Sequence, residues 1–230
     1  MVDFSRLIGG YMQQHCANWS NENKLLFEKG KYVPDTDALM LLHSPILLHL
    51  LLDNKKFPKN KSELRKNLEE ILTGKLVLEI GCRDASFLRF AKDHGARIIG
   101  STSKKYVKEA SKILGNENIV EADAEEAIEK LSGAKPNIVV STNLFDTERW
   151  RSKQITAKPE ELIEKIIGIG TNRTRFYINP SIDNSSELTE KHLKDAGSGN
   201  ASIRTYFNPS IPKKTMSTFA FRKKAIKRKK

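Results

Sequence analysis

The stretch LVLEIG at residues 76–81 decides the fold of this chain. Its apolar run is typical of a β-strand that is buried on both faces, and the stretch CRDAS at 82–86 predicts a tight turn after it. The pattern FLRFAK at 87–92 then predicts the first turns of a helix. A strand, a tight turn and a helix N-terminus together form the seat for a nucleotide-like ligand in doubly wound α/β folds.

From residue 74 onward, short apolar runs alternate with amphipathic segments. Strands of this kind separated by helices indicate a parallel sheet with helices on both faces. The last two strand patterns leave no room for a helix between them, so the final strand must run antiparallel. We therefore predict an α/β fold, a doubly wound seven-stranded sheet with an antiparallel last strand. The predicted strands are 75–80, 96–100, 118–121, 137–141, 174–179, 203–207 and 215–222, and the predicted helices are 85–94, 104–114, 124–131, 159–167 and 185–196.

The N-terminal part of the chain shows helical patterns and no convincing strand. Its longest apolar run, 38–52, predicts a buried helix or a helix pair broken at Ser44-Pro45. Because this run is shorter than the roughly 18–20 residues that cross a bilayer, we expect no transmembrane segment. The pattern at 62–72 predicts an amphipathic helix capped by Ser62. The predicted division of the chain is a helical extension at 1–73, a domain at 74–222 and a basic tail at 223–230.

The formal net charge of +12 is concentrated at the C-terminus. Residues 213–230 hold nine lysines and arginines and no carboxylate, so the other 212 residues carry 31 basic against 28 acidic side chains. Such a tail contacts phosphate backbones, acidic proteins or anionic membranes, or aids solubility; we expect RNA or a protein as its partner. An antiparallel last strand places the start of the tail at the sheet edge far from the turn at 82–86. Two distant cysteines predict no disulfide or zinc site, and a reducing compartment such as the cytoplasm.

The turn after the first strand resembles the first motif of class I S-adenosylmethionine (SAM) methyltransferases, an acid followed by three glycines at alternate positions. Glu79 and Gly81 match this motif, whereas Arg83 and Ala85 stand at the second and third glycine positions. The resemblance implies that Glu79 orients the ammonium group of SAM. It also implies that the backbone of Gly81, Cys82 and Arg83 approaches the cofactor. The Arg83 side chain would point to solvent, reach the cofactor carboxylate or block the pocket.

The ends of the second and third strands resemble the next two motifs of that family. Thr102 aligns with a ribose-binding carboxylate, and its hydroxyl would replace a bidentate acceptor by a single hydrogen bond. Asp123 and Ala124 match the adenine motif, which implies a carboxylate that accepts from the adenine amino group and an Ala124 amide that contacts the ring. Both segments are also typical of helix N-caps, so capping stays an alternative for each.

The fourth motif follows the predicted strand at 137–141. Asn137 stands where the family often has aspartate, and Ser141 ends the strand, where residues of the family face the transferred methyl group. The asparagine–proline–proline–aromatic signature of amino-group methylators is missing from this segment, and so is a cysteine nucleophile. A long polar loop at 142–158 follows. Its aromatic and basic residues at 145–153 predict a lid or substrate wall that contacts RNA.

The resemblance implies a SAM-dependent methyltransferase, whose catalytic residue stays undetermined. The basic tail and the loop at 145–153 favour RNA as the acceptor, and we expect no metal site. Methyl transfer from a sulfonium depends mainly on positioning, so the lack of an obvious acid or base is consistent with activity. The alternative is a catalytically degenerate module that binds nucleic acid or protein, because Arg83, Thr102 and Asn137 depart from the family pattern. A nicotinamide-dependent oxidoreductase is disfavoured because the turn has a single glycine, Gly81.

Overall fold

The computed structural model describes residues 45–54, 61–83, 85–142, 144–145, 147–179, 188–196, 202–207 and 215–223. The strands are β1 (Leu76–Ile80), β2 (Arg97–Thr102), β3 (Ile119–Glu121), β4 (Ile138–Thr142), β5 (Arg175–Asn179), β6 (Ser202–Phe207) and β7 (Thr215–Arg222). The helices are α1 (Pro45–Asp53), α2 (Lys61–Leu72), α3 (Ser86–Asp93), α4 (Lys104–Leu114), α5 (Ala124–Lys130), α6 (Thr147–Arg151), α7 (Pro159–Ile169) and α8 (Glu190–Asp195). A short 3₁₀ turn, Asn116–Asn118, precedes β3.

The strands form one sheet in the order β3-β2-β1-β4-β5-β7-β6. Strands β1 to β5 are parallel, and β7 runs antiparallel to both β5 and β6. The chain moves outward from β1 to β3 and then returns to place β4 on the other side of β1. The direction of winding therefore changes between β1 and β4, which is where open α/β sheets bind their ligands. The predicted α/β sheet with an antiparallel last strand is confirmed.

Two hydrophobic cores lie on opposite faces of the sheet. Successive side chains of a strand point to opposite faces, so Val77 of β1 packs with α1 to α4, whereas Leu78 and Ile80 pack with α5, α7 and α8. The same division holds on β5, where Tyr177 enters the first core and Phe176 the second. Burial on both faces explains why the strands appear in the sequence as nearly continuous apolar runs.

Helices α1 and α2 contribute apolar residues to the first of these cores. A set of polar contacts also fixes the end of α1 to β5. The Tyr177 hydroxyl donates to Asp53 Oδ2 at 3.2 Å, and Arg175 Nη1 donates to Asn54 Oδ1 at 2.9 Å. Burial raises the pKa of Tyr177, which keeps its hydroxyl a donor. Helices α1 and α2 thus pack on the sheet, while the division of the chain before β1 stays a prediction.

Strand β2 extends two residues beyond its predicted end. Ser101 and Thr102 pair with Val120 and Glu121 of β3, and this pairing continues the strand into a segment that also has the composition of a helix cap. The capping alternative for Ser101-Thr102-Ser103 therefore holds only for Ser103, which occupies the N-cap position of α4 without a capping hydrogen bond from its side chain. Ser101 and Thr102 belong to the strand.

Two helical predictions also need correction. Helix α2 begins at Lys61, so Ser62 lies inside the helix instead of capping it. The predicted loop at 142–158 contains the short helix α6. Helix α1 begins at Pro45, a residue suited to the first helical position because its φ is fixed there. The rest of the predicted segment at 38–52 lies outside the described residues.

Strand β7 ends at the sheet edge opposite the turn that follows β1. Its register places Arg222 beside Arg175, the first residue of β5. The chain therefore leaves the sheet at the edge predicted for the start of the basic tail, of which residues 224–230 lie outside the described part. Among the described helices, none has both the length and the apolar character that crossing a membrane requires.

Candidate active site

The turns that follow β1, β2 and β3 meet at one edge of the sheet, which we call the carboxyl edge. The Gly81 N–H donates to Ser101 Oγ at 3.2 Å, and the Cys82 N–H donates to the Ser101 carbonyl at 2.8 Å. The Ala122 N–H donates to the Thr102 carbonyl at 3.1 Å. These bonds join the three segments in which the sequence predicted binding residues. Ser101 was not among those residues, because nothing in the sequence distinguishes it from an ordinary turn serine.

The turn after β1 has a left-handed backbone at three alternate residues. The angle φ is +78° at Gly81, +46° at Arg83 and +61° at Ala85. A residue with a side chain adopts this conformation at a cost of about 1–2 kcal/mol. The Ala85 N–H closes the turn by donating to the Cys82 carbonyl at 2.7 Å. Arg83 and Ala85, which stand at the second and third glycine positions of the motif, therefore have the positive φ that a glycine adopts without strain.

The side of the turn at Gly81 is open. No described residue lies within 4 Å of the position that a Cβ on Gly81 would occupy. Arg83 is exposed, and no atom of its side chain lies within 4 Å of that position. Ala85 is fully buried. A ligand can therefore approach the Gly81 backbone, since neither Arg83 nor Ala85 fills that space.

Glu79 and Cys82 flank Gly81 in different environments. Glu79 is 5% exposed, and its register neighbours are Gly100 on β2 and Val140 on β4. The Cys82 sulfur packs toward β2, only 2.8 Å from where a Cβ on Gly100 would lie. Cys82 therefore offers a ligand its backbone alone, and Glu79 is the buried carboxylate beside the turn.

Thr102, the last residue of β2, is 2% exposed. Its buried position and neutral side chain contrast with the carboxylate that the resemblance would place there. A single hydroxyl cannot form the two charge-assisted bonds that a carboxylate offers to a pair of ribose hydroxyls. This position is where the chain departs most from the expected binding chemistry.

Asp123 precedes α5 at the carboxyl edge and is exposed. It occupies the N-cap position, yet its side chain makes no capping hydrogen bond. Glu126, in the first turn of α5, pairs with Lys130 at 2.8 Å, and this contact is the main cause that lowers the pKa of Glu126. Ala124 is the first helical residue, so its N–H has no acceptor within the helix. The Asp123 carboxylate and the Ala124 amide can therefore serve an adenine ring.

Ser141 lies near the end of β4, beside Ile80 in the register of the sheet. It is fully buried, and its hydroxyl has no hydrogen-bond partner among the described residues. A buried hydroxyl left in this state is unfavourable unless a ligand or water meets it. Ser141 therefore places an unpartnered hydroxyl between β1 and β4, and Thr218 also has a buried hydroxyl in this state among the described residues.

Asn137 lies at the opposite edge of the sheet from these residues. Its Oδ1 accepts the Leu76 N–H at 2.8 Å, and its carbonyl accepts the Arg175 N–H at 3.0 Å. These contacts hold the beginnings of β1, β4 and β5 together. An asparagine in place of aspartate here is therefore a structural feature and does not bear on the chemistry of the carboxyl edge.

Glu125 forms a contact that sequence reasoning missed. Its carboxylate accepts the Thr156 N–H at 2.7 Å, the Ala157 N–H at 2.9 Å and the Thr156 hydroxyl at 3.1 Å. The Ala157 N–H is the main cause that lowers the pKa of Glu125. In the sequence Glu125 is indistinguishable from a first-turn acid that favours the helix dipole. In the fold it fixes the segment after α6 beside the start of α5.

Metal chemistry has no candidate ligands in the described part of the chain, where no group of three or more His, Cys, Asp or Glu side chains could hold an ion. The site residues predicted from the sequence all lie at or beside the carboxyl edge. They are Glu79, Gly81, Cys82, Arg83, Thr102, Asp123, Ala124 and Ser141.

Comparison with known proteins supports the fold. No family model matches the chain, and no curated protein matches it. A TehB-like SAM-dependent methyltransferase from Corynebacterium glutamicum has a similar structure, with a TM-score of 0.50 and 14% identity over 92% of this chain and 99% of that chain. The 1,6-didemethyltoxoflavin-N1-methyltransferase of Burkholderia thailandensis, solved with S-adenosylhomocysteine, has a TM-score of 0.53 and 12% identity over 93% and 90%. At these identities the likeness shows that this chain has the fold of class I SAM-dependent methyltransferases.

Proposed function

We propose that this chain is a SAM-dependent methyltransferase whose cofactor lies at the carboxyl edge between β1 and β4. The observation that carries the proposal is the turn at 81–85, which keeps a left-handed backbone at alternate residues and is open at Gly81. Bound SAM would supply a methyl group on a positively charged sulfur. The chain itself contributes binding, orientation and shielding from water.

The methionine end of the cofactor would lie against the turn. Glu79 is the proposed partner of the ammonium group, because it is a buried carboxylate two residues before Gly81. The backbone of Gly81, Cys82 and Arg83 would follow the ligand closely, since Gly81 has no side chain and the Arg83 side chain is exposed.

The adenosine end would lie across the ends of β2 and β3. Thr102 would give the ribose one hydroxyl contact. Asp123 would accept a hydrogen bond from the adenine amino group, and the Ala124 N–H would meet the ring. The exposed Asp123 side chain and the helix-terminal amide of Ala124 support this assignment.

Transfer of the methyl group is a displacement in line with the sulfur–carbon bond. It requires an acceptor that is held close and deprotonated, and positioning supplies much of the rate enhancement. Ser141 would orient a group in the cleft through its buried hydroxyl, without acting as a general acid or base. The catalytic residue, if one exists, remains unassigned.

We favour RNA as the acceptor. Arg151 and Lys153, in the segment after β4, are exposed at positions from which they can meet phosphates. The basic tail would bind a partner separately, because β7 ends at the edge opposite the site. The two cysteines in 230 residues favour a reducing compartment such as the cytoplasm.

A binding module without catalysis is the second candidate, and Thr102 is the observation that favours it. Its neutral, buried side chain would weaken cofactor binding by about 1–3 kcal/mol relative to a carboxylate. The other two departures no longer support this candidate. Arg83 is exposed, and Asn137 lies at the opposite edge.

Incubation of the purified chain with tritiated SAM and total cellular RNA or protein tests the proposal. We expect tritium in the RNA fraction, with no incorporation when the chain is boiled first. Incorporation into protein alone would keep the enzyme and replace the acceptor. Tight cofactor binding with no incorporation into either fraction would favour the binding module.

A further inference from the structure

The outer face of α4 carries a row of lysines that the proposed cofactor site does not use. Its inner face packs against the sheet through Ala110 and Leu114, which are buried. Arg83 is exposed nearby, on the turn whose Cys82 N–H is bonded to Ser101 just before α4. The α4 basic surface, as we call it, consists of the exposed side chains Arg83, Lys104, Lys105, Lys108 and Lys112.

None of these five side chains forms an ion pair with a carboxylate of the described residues. Elsewhere on the surface cations do pair, as Lys130 does with Glu126 at 2.8 Å.

The spacing of Lys104, Lys108 and Lys112 places like charges one helical turn apart, which is unfavourable in a helix. The exposed carboxylate of Glu109 lies one turn from Lys105 and Lys112 but forms no ion pair with either of these described residues. The net positive charge of this surface fits a negatively charged partner.

The segment that follows α4 carries the opposite charge. Residues 117–130 contain six carboxylates and one lysine. Because β3 pairs with β2, this acidic segment lies next to the strand from which α4 begins. A polyanion is therefore attracted to α4 and repelled from the acidic segment, which includes Asp123 at the carboxyl edge. It would follow α4 on the side away from that segment and reach the carboxyl edge beside Arg83.

We infer that the α4 basic surface binds the phosphate backbone of a nucleic-acid strand and leads that strand to the carboxyl edge. This inference rests on the proposed function, since the strand would be the methyl acceptor. An anionic membrane fits the surface less well. The apolar residues of α4 are buried or half-buried, so the helix presents no fully exposed apolar side chain to insert into lipid.

A pair of matched triple variants tests the inference in the full chain. One carries Lys105→Gln, Lys108→Gln and Lys112→Gln. The other carries Lys66→Gln, Lys75→Gln and Lys135→Gln, three exposed lysines of which the last two lie at the opposite edge of the sheet. Both variants lose the same charge, and both keep the basic tail. Fluorescence anisotropy would measure their binding to a labelled, unstructured oligouridine over a range of salt concentrations.

We expect the α4 variant to bind the oligouridine about 10- to 100-fold more weakly than the wild-type chain at low salt. The slope of log K against log salt concentration should become less steep by about 2, as the loss of three phosphate contacts predicts. The control should lose less than about threefold. The melting temperature of the α4 variant should stay equal or rise, because like-charge neighbours are removed. This last measurement distinguishes a lost contact from a damaged fold.

An equal loss of oligouridine affinity in both variants would overturn the inference, because it would mean that the net charge of the chain and not the α4 basic surface determines binding. No loss in either variant would overturn it in favour of another contact, such as the tail. Binding of the α4 lysines to phosphatidylserine vesicles without binding to RNA would assign the surface to a membrane. Calorimetry with S-adenosylhomocysteine distinguishes the two proposals. If the wild-type chain does not bind S-adenosylhomocysteine but the α4 variant still binds RNA more weakly, the α4 basic surface is supported and the proposed function is contradicted.

Discussion

The turn at 81–85 and the end of β2 both depart from the expected motifs, with opposite consequences. In the turn, Arg83 and Ala85 replace glycines, yet the backbone keeps the left-handed shape and the Gly81 side stays open. At Thr102 the backbone continues an ordinary strand, and the missing carboxylate is a missing contact. A ligand contact made by the backbone can survive a change of side chain, whereas one made by a side chain cannot.

Gly81→Val should prevent the contact that the backbone of the turn is proposed to make with the cofactor. A branched side chain at φ +78° is strained and enters the open space at the turn, so we expect more than a 100-fold loss of S-adenosylhomocysteine affinity together with about 1–2 kcal/mol of stability. Gly74→Val is the matched control, because Gly74 has φ +69° and equally open surroundings at the other edge. Calorimetry and denaturation should show similar destabilisation in both and lost binding only in the first. Equal affinity of both variants for S-adenosylhomocysteine would show that the cofactor does not bind at the turn.

Asp123→Asn tests a side-chain contact that the chain has kept. The loss of a charged acceptor for the adenine amino group should weaken binding by about 10- to 100-fold. Stability should change by less than about 0.5 kcal/mol, because the Asp123 side chain makes no capping bond. Glu121→Gln, at an exposed carboxylate two residues earlier, is the control and should bind normally. Unchanged affinity in Asp123→Asn would place adenine elsewhere.

Thr102→Asp should restore the side-chain contact to ribose that the chain is proposed to lack. A carboxylate that accepts from both ribose hydroxyls should increase affinity about tenfold. Because Thr102 is 2% exposed, the buried charge should also lower the melting temperature of the ligand-free chain. Thr102→Asn has nearly the same shape without the charge and should change affinity by less than about threefold. A folded Thr102→Asp variant with no gain would show that the ribose does not meet this residue.

Glu125→Gln should loosen the segment after α6. The neutral amide keeps its shape but weakens the bonds to the Thr156 and Ala157 amides, so trypsin should cleave after Arg151 and Lys153 about fivefold faster. Glu126→Gln is the control, since Glu126 pairs with Lys130 on its own helix.

The same contact predicts a pH dependence. The folded-state pKa of Glu125 lies below its ordinary value of 4.5, so the stabilisation is complete above that value and is lost as the pH falls through the lowered pKa. Faster cleavage in acid by an acid-stable protease should therefore occur in the wild-type chain and be absent from Glu125→Gln. Identical cleavage of the two chains at every pH would contradict the contact.

Arg83→Gly should have the smallest effect. The exposed side chain is not needed for the shape of the turn, so S-adenosylhomocysteine affinity should change by less than about threefold. A large gain would mean that the guanidinium obstructs the pocket in solution, and a large loss would mean that it binds the cofactor carboxylate. Calorimetry on this single variant distinguishes all three orientations considered for Arg83.

Much of the fold was predictable because its signals are local. Apolar runs of strand length, separated by helical patterns, predicted the parallel sheet, and the short link before β7 predicted its antiparallel direction. The predicted ends of elements were wrong where tertiary contacts decide them. Strand β2, for example, continues through Ser101 and Thr102 because β3 pairs with it there. The predicted cap Ser62 is helical for a reason that nothing among the described residues explains.

The site was predictable only where it depends on short motifs. Asp123 and Gly81 lie where their motifs indicated. The positions of Ser101 and Glu125 depend on contacts between segments that are distant in sequence, such as the 31 residues that separate Glu125 from Thr156. The exposure of Arg83 and the contacts of Asn137 at the opposite edge likewise depend on the side of the fold that each residue faces. A single sequence carries no signal for such relations.

The most direct test of the central claim is a calorimetric titration of the purified chain with S-adenosylhomocysteine. A cofactor seat at the turn predicts saturable binding at one site per chain, with a Kd of about 1–100 μM once the missing ribose carboxylate is taken into account. The absence of binding at ligand concentrations of about 1 mM would contradict the claim and leave only the fold in common with the methyltransferases.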